Sequence, residues 1–133
     1  LATLADDSGL EVDVLNQMPG VRSARWAGPE CNDAANNALL LAQLAGVPAK
    51  RRGARFVCAL ALVLPDGGRQ LWREEMPGRI AEEERGDGGF GYDPLFLPDG
   101  RACTSAELTA AQKDAISHRG KAVRAFVAWL KEQ

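Results

Sequence analysis

The sequence has few of the residues that build common metal and disulfide sites. It contains one histidine, His118, and three widely spaced cysteines, Cys31, Cys58 and Cys103, with no C-x-x-C pair. A structural zinc site needs four nitrogen or sulfur ligands and usually uses such pairs, so the sequence disfavours one. An odd number of cysteines without a secretory leader favours a reducing compartment over a disulfide framework.

A strong net charge and a long apolar run are also missing. Sixteen basic and 18 acidic residues leave a net charge of −2. This balance provides no broad field for a nucleic-acid backbone or an anionic membrane. No apolar stretch approaches the ~20 residues of a membrane helix. What remains is 133 residues, 46% of them hydrophobic, which predicts one globular domain over residues 1–133.

The first 14 residues predict two strands separated by a turn. Leu1–Ala5 is apolar and is followed by the turn formers Asp6–Gly9, so we expect a buried strand that delivers two carboxylates to a loop. The alternation from Leu10 to Val14 predicts a second, half-exposed strand. Because the chain opens in an apolar segment without Met, we expect an upstream segment.

The middle of the chain predicts a helix and a central hairpin. Asn32 or Asp33 can cap a helix that runs to about Ala45. The nearly continuous apolar run Phe56–Leu64 predicts a central strand buried on both faces. A turn at residues 65–68 leads into a strand at residues 69–73, and residues 94–97 predict a last short strand.

The C-terminal quarter predicts two helices. Thr109 begins a capping-box pattern, and Ser117 can cap the second, longer helix. Four apolar residues of this helix lie at i, i+3, i+4 and i+7, which predicts a stripe that faces the core. These residues are Val123, Phe126, Val127 and Leu130. Strands mixed with helices predict an α/β layered fold with a mixed sheet.

Three segments carry residues suited to chemistry, and the first is the acid pair Asp6 and Asp7. Carboxylates at the end of a strand suit Mg²⁺, and a carboxylate beside a metal-bound water can accept its proton. The alternative is that Asp6–Gly9 simply forms a turn.

The second segment is the glycine-rich stretch from Gly86 to Pro94. Its glycines leave the backbone open to close approach by a ligand. Phe90 and Tyr92 can stack on a base, and Asp93 can accept from ring N–H groups. The alternative, a mobile surface loop, predicts polar residues in place of the two aromatics.

The third segment contains Lys113, His118 and Arg119, where one helix ends and another begins. Lys and Arg are permanent donors, so they suit an acceptor such as a purine 6-oxo group and leave unpaired donors beside a 6-amino group. The alternative is ordinary solvated charge and a structural histidine. A weaker candidate is the group of Arg22, Arg25 and Trp26. It could contact a phosphate or a dimer partner, but the sequence favours ordinary surface charge beside a packed Trp.

Together these segments make the chain resemble the inosine triphosphatase family of non-standard purine nucleoside triphosphate pyrophosphatases (XTP/dITP diphosphatases). Four motifs match that family in order and spacing over nearly the whole chain. They are L-A-D-D-S-G-L-E-V-D (Leu4–Asp13), P-G-V-R-S-A-R-W-A-G (Pro19–Gly28), G-G-F-G-Y-D-P-L-F (Gly88–Phe96) and A-E-L-T-A-A-Q-K-D-A-I-S-H-R-G-K-A (Ala106–Ala122).

The resemblance implies a three-layer α/β fold and a cytoplasmic, Mg²⁺-dependent homodimer. Such an enzyme converts ITP, dITP and XTP to the monophosphate and pyrophosphate, by attack of water at the α-phosphate. Asp7 corresponds to the metal ligand and proton acceptor of the family. The residues that correspond to substrate contacts are Ser8, Phe90, Gly91, Tyr92, Asp93, Lys113, His118 and Arg119, with Phe90 as the stacking ring.

One departure from the family opens alternatives. Family members begin with a T-x-N-x-x-K phosphate-binding loop, a further Glu metal ligand and a phosphate-binding Lys, which are not in this sequence. The chain is therefore expected to be the C-terminal portion of the enzyme, and a nucleotide-binding module without catalysis is the main alternative. A Maf-like enzyme for pyrimidine nucleotides is disfavoured by the S-H-R-G segment, and a nucleic-acid binder by the lack of a basic face.

Overall fold

The computed structural model describes residues 2–133, so the part of the first predicted strand that falls on Leu1 lies outside it. Within that range the chain forms one five-stranded sheet in the order β2-β1-β3-β4-β5, and all four pairings are antiparallel. The strands are β1 (Thr3–Val12), β2 (Met18–Gly20), β3 (Gly53–Val63), β4 (Arg69–Ile80) and β5 (Phe96–Pro98). The helices are α1 (Asp33–Gln43), α2 (Ala110–Ile116) and α3 (His118–Lys131).

The prediction of two strands around an Asp6–Gly9 turn is wrong. Residues 3–12 form one continuous strand that pairs with β3 from Thr3↔Val63 to Val12↔Ala54. Ten consecutive pairings with a long strand outweigh the turn preference of four residues. The first half of β1 is exposed rather than buried, and burial begins only near Leu10.

The predicted hairpin is confirmed, but its strands are longer and more exposed on one side than expected. β3 and β4 pair from Val63↔Arg69 to Gly53↔Arg79. Burial alternates along β3, so this strand is buried on one face and half-buried on the other, not buried on both. The apolar residues of the second face are mostly small and half-buried, and their apolar character made the run look buried on both faces.

Helices α1 and α3 pack on the same face of the sheet. Leu40 and Leu44 at the end of α1 join Leu10 and Phe56 in the main core cluster. Ala122 of α3 packs in a second cluster with other residues of β3. The opposite face carries an ion-pair network in which Arg55 contacts Glu11 at 3.0 Å. The described residues therefore supply two of the three expected layers.

The helix caps are as predicted, but the buried stripe of α3 is not. The side chain of Asn32 accepts from Ala35 N, that of Thr109 from Gln112 N and that of Ser117 from Gly120 N. Residues Val123, Val127 and Leu130 are 39–48% exposed. The face that meets the sheet is rotated towards Ala122, Phe126 and Trp129, and the last two contact Trp72 edge-to-face. Trp129 belongs to this sheet-facing stripe, but it was not among the four residues of the predicted i, i+3, i+4, i+7 pattern.

Arg52 fixes the junction between α1 and the hairpin. Its side chain is 5% exposed and donates to the carbonyl oxygens of Val47, Leu44 and Ala81 at 2.8–3.1 Å. The cation thus lies against a carbonyl at the end of α1, where a positive charge is favourable. Among residues 2–133, no helix combines the length and the apolar character that crossing a membrane requires.

Candidate functional site

A cavity of about 660 Å³ opens beside β1. Its walls come from β1, the loop before α1, the start of α1, the glycine-rich loop and the junction of α2 with α3. The residues predicted to bind substrate all line it. They are Ser8, Phe90, Gly91, Tyr92, Asp93, Lys113, His118 and Arg119. The structure thus brings together residues that lie more than 100 positions apart in the sequence.

Phe90 is the exposed aromatic surface of this cavity. Phe90 is 66% exposed, which is unusual for a large apolar residue. The Lys113 ammonium lies 4.5 Å from the centroid of the Phe90 ring and forms an ion pair with the Asp93 carboxylate. Asp93 is 3% exposed and also accepts from Phe90 N at 2.9 Å. The Asp93 carboxylate therefore fixes the positions of both the loop backbone and the Lys113 side chain. Because Asp93 is buried by these contacts, it is less accessible to a ligand than the sequence predicts.

Gly89 is required by this arrangement. It adopts a φ of +69°, which L side chains rarely adopt, and a Cβ there would meet the Asp93 carboxylate. The glycine-rich loop thus packs closely around the Asp93 carboxylate.

Tyr92 is not available for stacking, contrary to the sequence-based expectation. Its ring is 4% exposed within the main core cluster, and its hydroxyl donates to Ser23 O at 2.7 Å. Burial raises the pKa of the Tyr92 hydroxyl, so it remains a donor. Tyr92 ties the glycine-rich loop to the loop before α1, and of the two aromatic residues Phe90 is the one with an open ring.

Two asparagines of α1, which were not predicted as site residues, complete these loops. Asn36 accepts from Ala27 N at 2.7 Å and donates to Ala24 O at 2.9 Å. Asn37 donates to Gly91 O at 3.0 Å. Both are almost fully buried. The sequence signal that could have found them is two adjacent amide side chains inside a predicted helix. If buried, such side chains need hydrogen-bond partners, which here are loop backbone groups.

The segment with Arg22, Arg25 and Trp26 also has a structural role. Ser23, within it, accepts from Leu10 N at 2.8 Å and donates to Gly20 O at 2.7 Å, so it fixes the loop on β1. Trp26 Nε1 donates to Gln43 Oε1 of α1 at 2.7 Å. These contacts favour the interpretation as loop packing over a phosphate contact.

His118 is a neutral imidazole at the start of α3. Its ring stacks on Phe56, with centroids 5.1 Å apart and planes 13° from parallel. Burial, followed by the positive charges of Arg119 and Lys113, lowers the pKa of His118 to about 4. Its Nδ1 is buried and has no hydrogen-bond partner within residues 2–133. His118 itself lines the cavity, so one residue of the cavity wall carries a buried imidazole nitrogen without a partner.

Arg119 reaches across to β1. Its Nε lies 3.1 Å from Asp6 Oδ2, and its Nη2 lies 3.5 Å from Ser8 Oγ. The contact between Asp6 and Arg119 was not predicted from the sequence, where Asp6 and Asp7 looked like one acid pair. Had residues 6–9 been treated as strand, alternation would have placed the two acids on opposite faces.

Asp7 is the one predicted site residue that does not line the main cavity. It is exposed and lines a smaller depression of about 150 Å³ on the other face of β1, together with Glu11. Ser8 and Gly9 line both spaces, so the two meet at these residues. Over residues 2–133, no three His, Cys, Asp or Glu side chains cluster closely enough to hold a metal ion.

Known proteins similar to this chain decide its family. A profile of the Ham1 family matches residues 1–129. The chain belongs to the Ham1 family. It is 64% identical over 124 residues to a dITP/XTP pyrophosphatase of Nocardia farcinica, covering 93% of this chain and 60% of that protein. It therefore spans less than two thirds of that relative's length.

Two solved structures confirm the fold. The crystal structure of a nucleoside-triphosphatase, dITP/XTP pyrophosphatase, from Mycobacterium abscessus is 56% identical with a TM-score of 0.85, over 98% of this chain and 66% of that one. The Ham1 protein of Staphylococcus aureus is 40% identical with a TM-score of 0.94, over 98% of this chain and 67% of that one. The expected family and the α/β fold of the inosine triphosphatase type are thus both confirmed.

Proposed function

We propose that the protein hydrolyses non-standard purine nucleoside triphosphates, namely ITP, dITP and XTP, to the monophosphate and pyrophosphate, and so cleanses the nucleotide pool. The observation that carries this proposal is one cavity lined by an exposed aromatic ring, two cations and a neutral imidazole. The cavity volume of about 660 Å³ is ample for a nucleoside. The similarity to dITP/XTP pyrophosphatases supports the same activity.

The donors of the cavity favour a 6-oxopurine over adenine. Lys113 and Arg119 carry only donors, and they face an acceptor oxygen more favourably than an amino group. Neutral His118 adds a ring nitrogen that accepts or donates according to its tautomer. The exposed face of Phe90 provides a surface on which the base stacks. A 6-amino group would leave donors unpaired in a partly buried site, which costs affinity.

Asp7 is the proposed proton acceptor and Mg²⁺ ligand. A nucleotide whose base lies against Phe90 and whose phosphates pass Ser8 would bring its α-phosphate to the Ser8–Gly9 segment, where the main cavity meets the depression that Asp7 lines. The exposed carboxylate fits Mg²⁺, which is commonly held by one or two carboxylates, water and substrate phosphates. Mg²⁺ would neutralise phosphate charge, and Asp7 would take the proton of the water that attacks the α-phosphate. We further propose a cytoplasmic homodimer, on the resemblance alone.

The second candidate is a purine nucleotide-binding module without catalysis. One observation favours it: Asp7 lies outside the cavity that holds the proposed base contacts. The base cavity needs nothing from Asp7 in order to bind a nucleotide.

Pyrophosphate release separates the two candidates. The protein is incubated with dITP and Mg²⁺, with EDTA in place of Mg²⁺ as the blank. The enzyme releases pyrophosphate above the blank, whereas the module binds dITP and releases none. UTP and dTTP serve as pyrimidine substrates, and a preference for either would refute the assignment to purines.

The role of Asp7 is tested by Asp7→Asn, with Asp99→Asn in the exposed turn after β5 as the matched control. Asp7→Asn should lower turnover of dITP at least a hundredfold, the scale of a lost general base, and leave IMP affinity within about twofold. Asp99→Asn should match the unmodified protein. Near-normal turnover by Asp7→Asn in Mg²⁺ would show that Asp7 is neither the base nor an essential metal ligand.

A further inference from the structure

Asp6 lies beside the nucleotide cavity but does not line it. It pairs with Leu60 of β3, and its side chain lies on the face of the sheet that α3 covers. Asp7, the next residue, lies on the other face, as strand alternation requires. The two adjacent acids therefore have different surroundings and need different explanations.

Both carboxylate oxygens of Asp6 are engaged. Oδ2 lies 3.1 Å from Arg119 Nε, and Oδ1 accepts from Ser8 Oγ and from Cys58 Sγ, each at 3.3 Å. Arg119 Nη2 also lies 3.5 Å from Ser8 Oγ. Asp6, Ser8 and Arg119 thus form a closed triangle, of which Ser8 and Arg119 face the cavity.

The triangle fixes side chains that would otherwise be free to rotate. The side chain of Arg119 is 48% exposed, and that of Asp6 is 37% exposed. An exposed ion pair of this kind adds little to the stability of the fold because water screens it. Its effect on orientation is larger, because an arginine held in one direction loses less entropy when it binds a ligand.

We propose that Asp6 is a positioning residue, which holds the Arg119 guanidinium and the Ser8 hydroxyl in the orientation that meets a purine nucleotide. This inference rests on the proposed function, since it assumes that Arg119 contacts the base. Asp6 acts through its two neighbours and touches neither the substrate nor the metal.

The sign of the effect distinguishes positioning from simple electrostatics. Removing a negative charge near an anionic nucleotide should strengthen binding if charge alone mattered. Positioning predicts the reverse for Asp6→Asn, which keeps an oxygen acceptor for Ser8 and removes only the ion pair. We expect IMP to bind about tenfold more weakly, the scale of one misplaced charge-assisted hydrogen bond. Asp6→Glu restores the charge and should recover part of the loss.

The test is a double-mutant cycle on IMP binding by calorimetry, in EDTA so that no metal bound at Asp7 contributes. The four proteins are the unmodified chain, Asp6→Asn, Arg119→Ala and the double variant, with Asp99→Asn as the matched control. Asp6→Asn should cost about tenfold in the unmodified background and less than twofold beside Arg119→Ala, because its effect requires Arg119. Thermal melts should change little.

The outcomes separate this inference from the proposed function. Equal losses from Asp6→Asn in both backgrounds, or unchanged IMP binding, would overturn the positioning role while leaving the purine assignment intact. If the unmodified protein did not prefer IMP to AMP, the proposed base recognition would fail, and the role of Asp6 with it.

Discussion

The single histidine gives a direct test of the site's electrostatics. His118 has its pKa lowered to about 4 by burial and by two nearby cations, whereas an unfolded histidine titrates near 6.5. As pH falls below 6.5 the unfolded chain takes up a proton that the folded chain does not. Folding stability attributable to His118 is therefore full above pH 6.5 and is lost progressively down to about pH 4. At pH 5 the loss is about 2 kcal/mol, since each pH unit between the two pKa values contributes ~1.4 kcal/mol.

Two measurements check this prediction. Because the chain has one histidine, a single imidazole resonance reports its titration by NMR, and its midpoint should lie well below 6.5. Urea unfolding at pH 7.5 and pH 5 is then compared with that of His118→Gln, which lacks the titrating group. The carboxylates are common to both proteins, so the difference between their pH-dependent losses isolates His118.

The reasoning would be refuted by a histidine that titrates at its ordinary pKa. It would also be refuted if His118→Gln lost as much stability between pH 7.5 and pH 5 as the unmodified protein. Either result would mean that the imidazole is charged or solvated, so that it could not offer a neutral nitrogen to a base.

Three further substitutions test other parts of the site. Phe90→Ala should leave stability within ~0.5 kcal/mol, because the ring is exposed, but weaken IMP binding by roughly tenfold or more through lost stacking; unchanged calorimetric affinity would exclude Phe90 as the stacking ring. Arg119→Ala should reduce the preference for dITP over ATP in pyrophosphate release, and equal losses for both would contradict base recognition. Arg52→Met should lower the free energy of unfolding by about 2–4 kcal/mol, because the carbonyl oxygens of Val47 and Ala81 lose their donor while that of Leu44 keeps Val47 N. A change below about 0.5 kcal/mol in urea titrations would exclude that role.

Local sequence signals predicted the helices and the hairpin but not the geometry of β1. Asn32, Thr109 and Ser117 are short-range caps, so the residues that decide them lie within three positions. The Asp6–Gly9 segment has strong turn chemistry, yet its conformation is decided by β3, about 50 residues away. A pairing at that separation leaves no local signal.

The sequence predicted which residues line the cavity better than it predicted the role of each residue. Four motifs identified the residues that line the cavity, but both Phe90 and Tyr92 looked suited to stacking. Only the packed fold shows that Tyr92 is buried and bonded to Ser23, while Phe90 is open. Likewise, Asp6 and Asp7 are equivalent in the sequence and become distinct when strand alternation places them on opposite faces.

The claim that the cavity recognises a 6-oxopurine is tested most directly by following the His118 imidazole resonance during titration with IMP and, separately, with AMP. The structure predicts that IMP shifts the resonance saturably, because His118 lines the cavity, and that AMP at the same concentrations leaves it nearly unchanged. A resonance that ignores IMP, or that responds equally to both nucleotides, would contradict it.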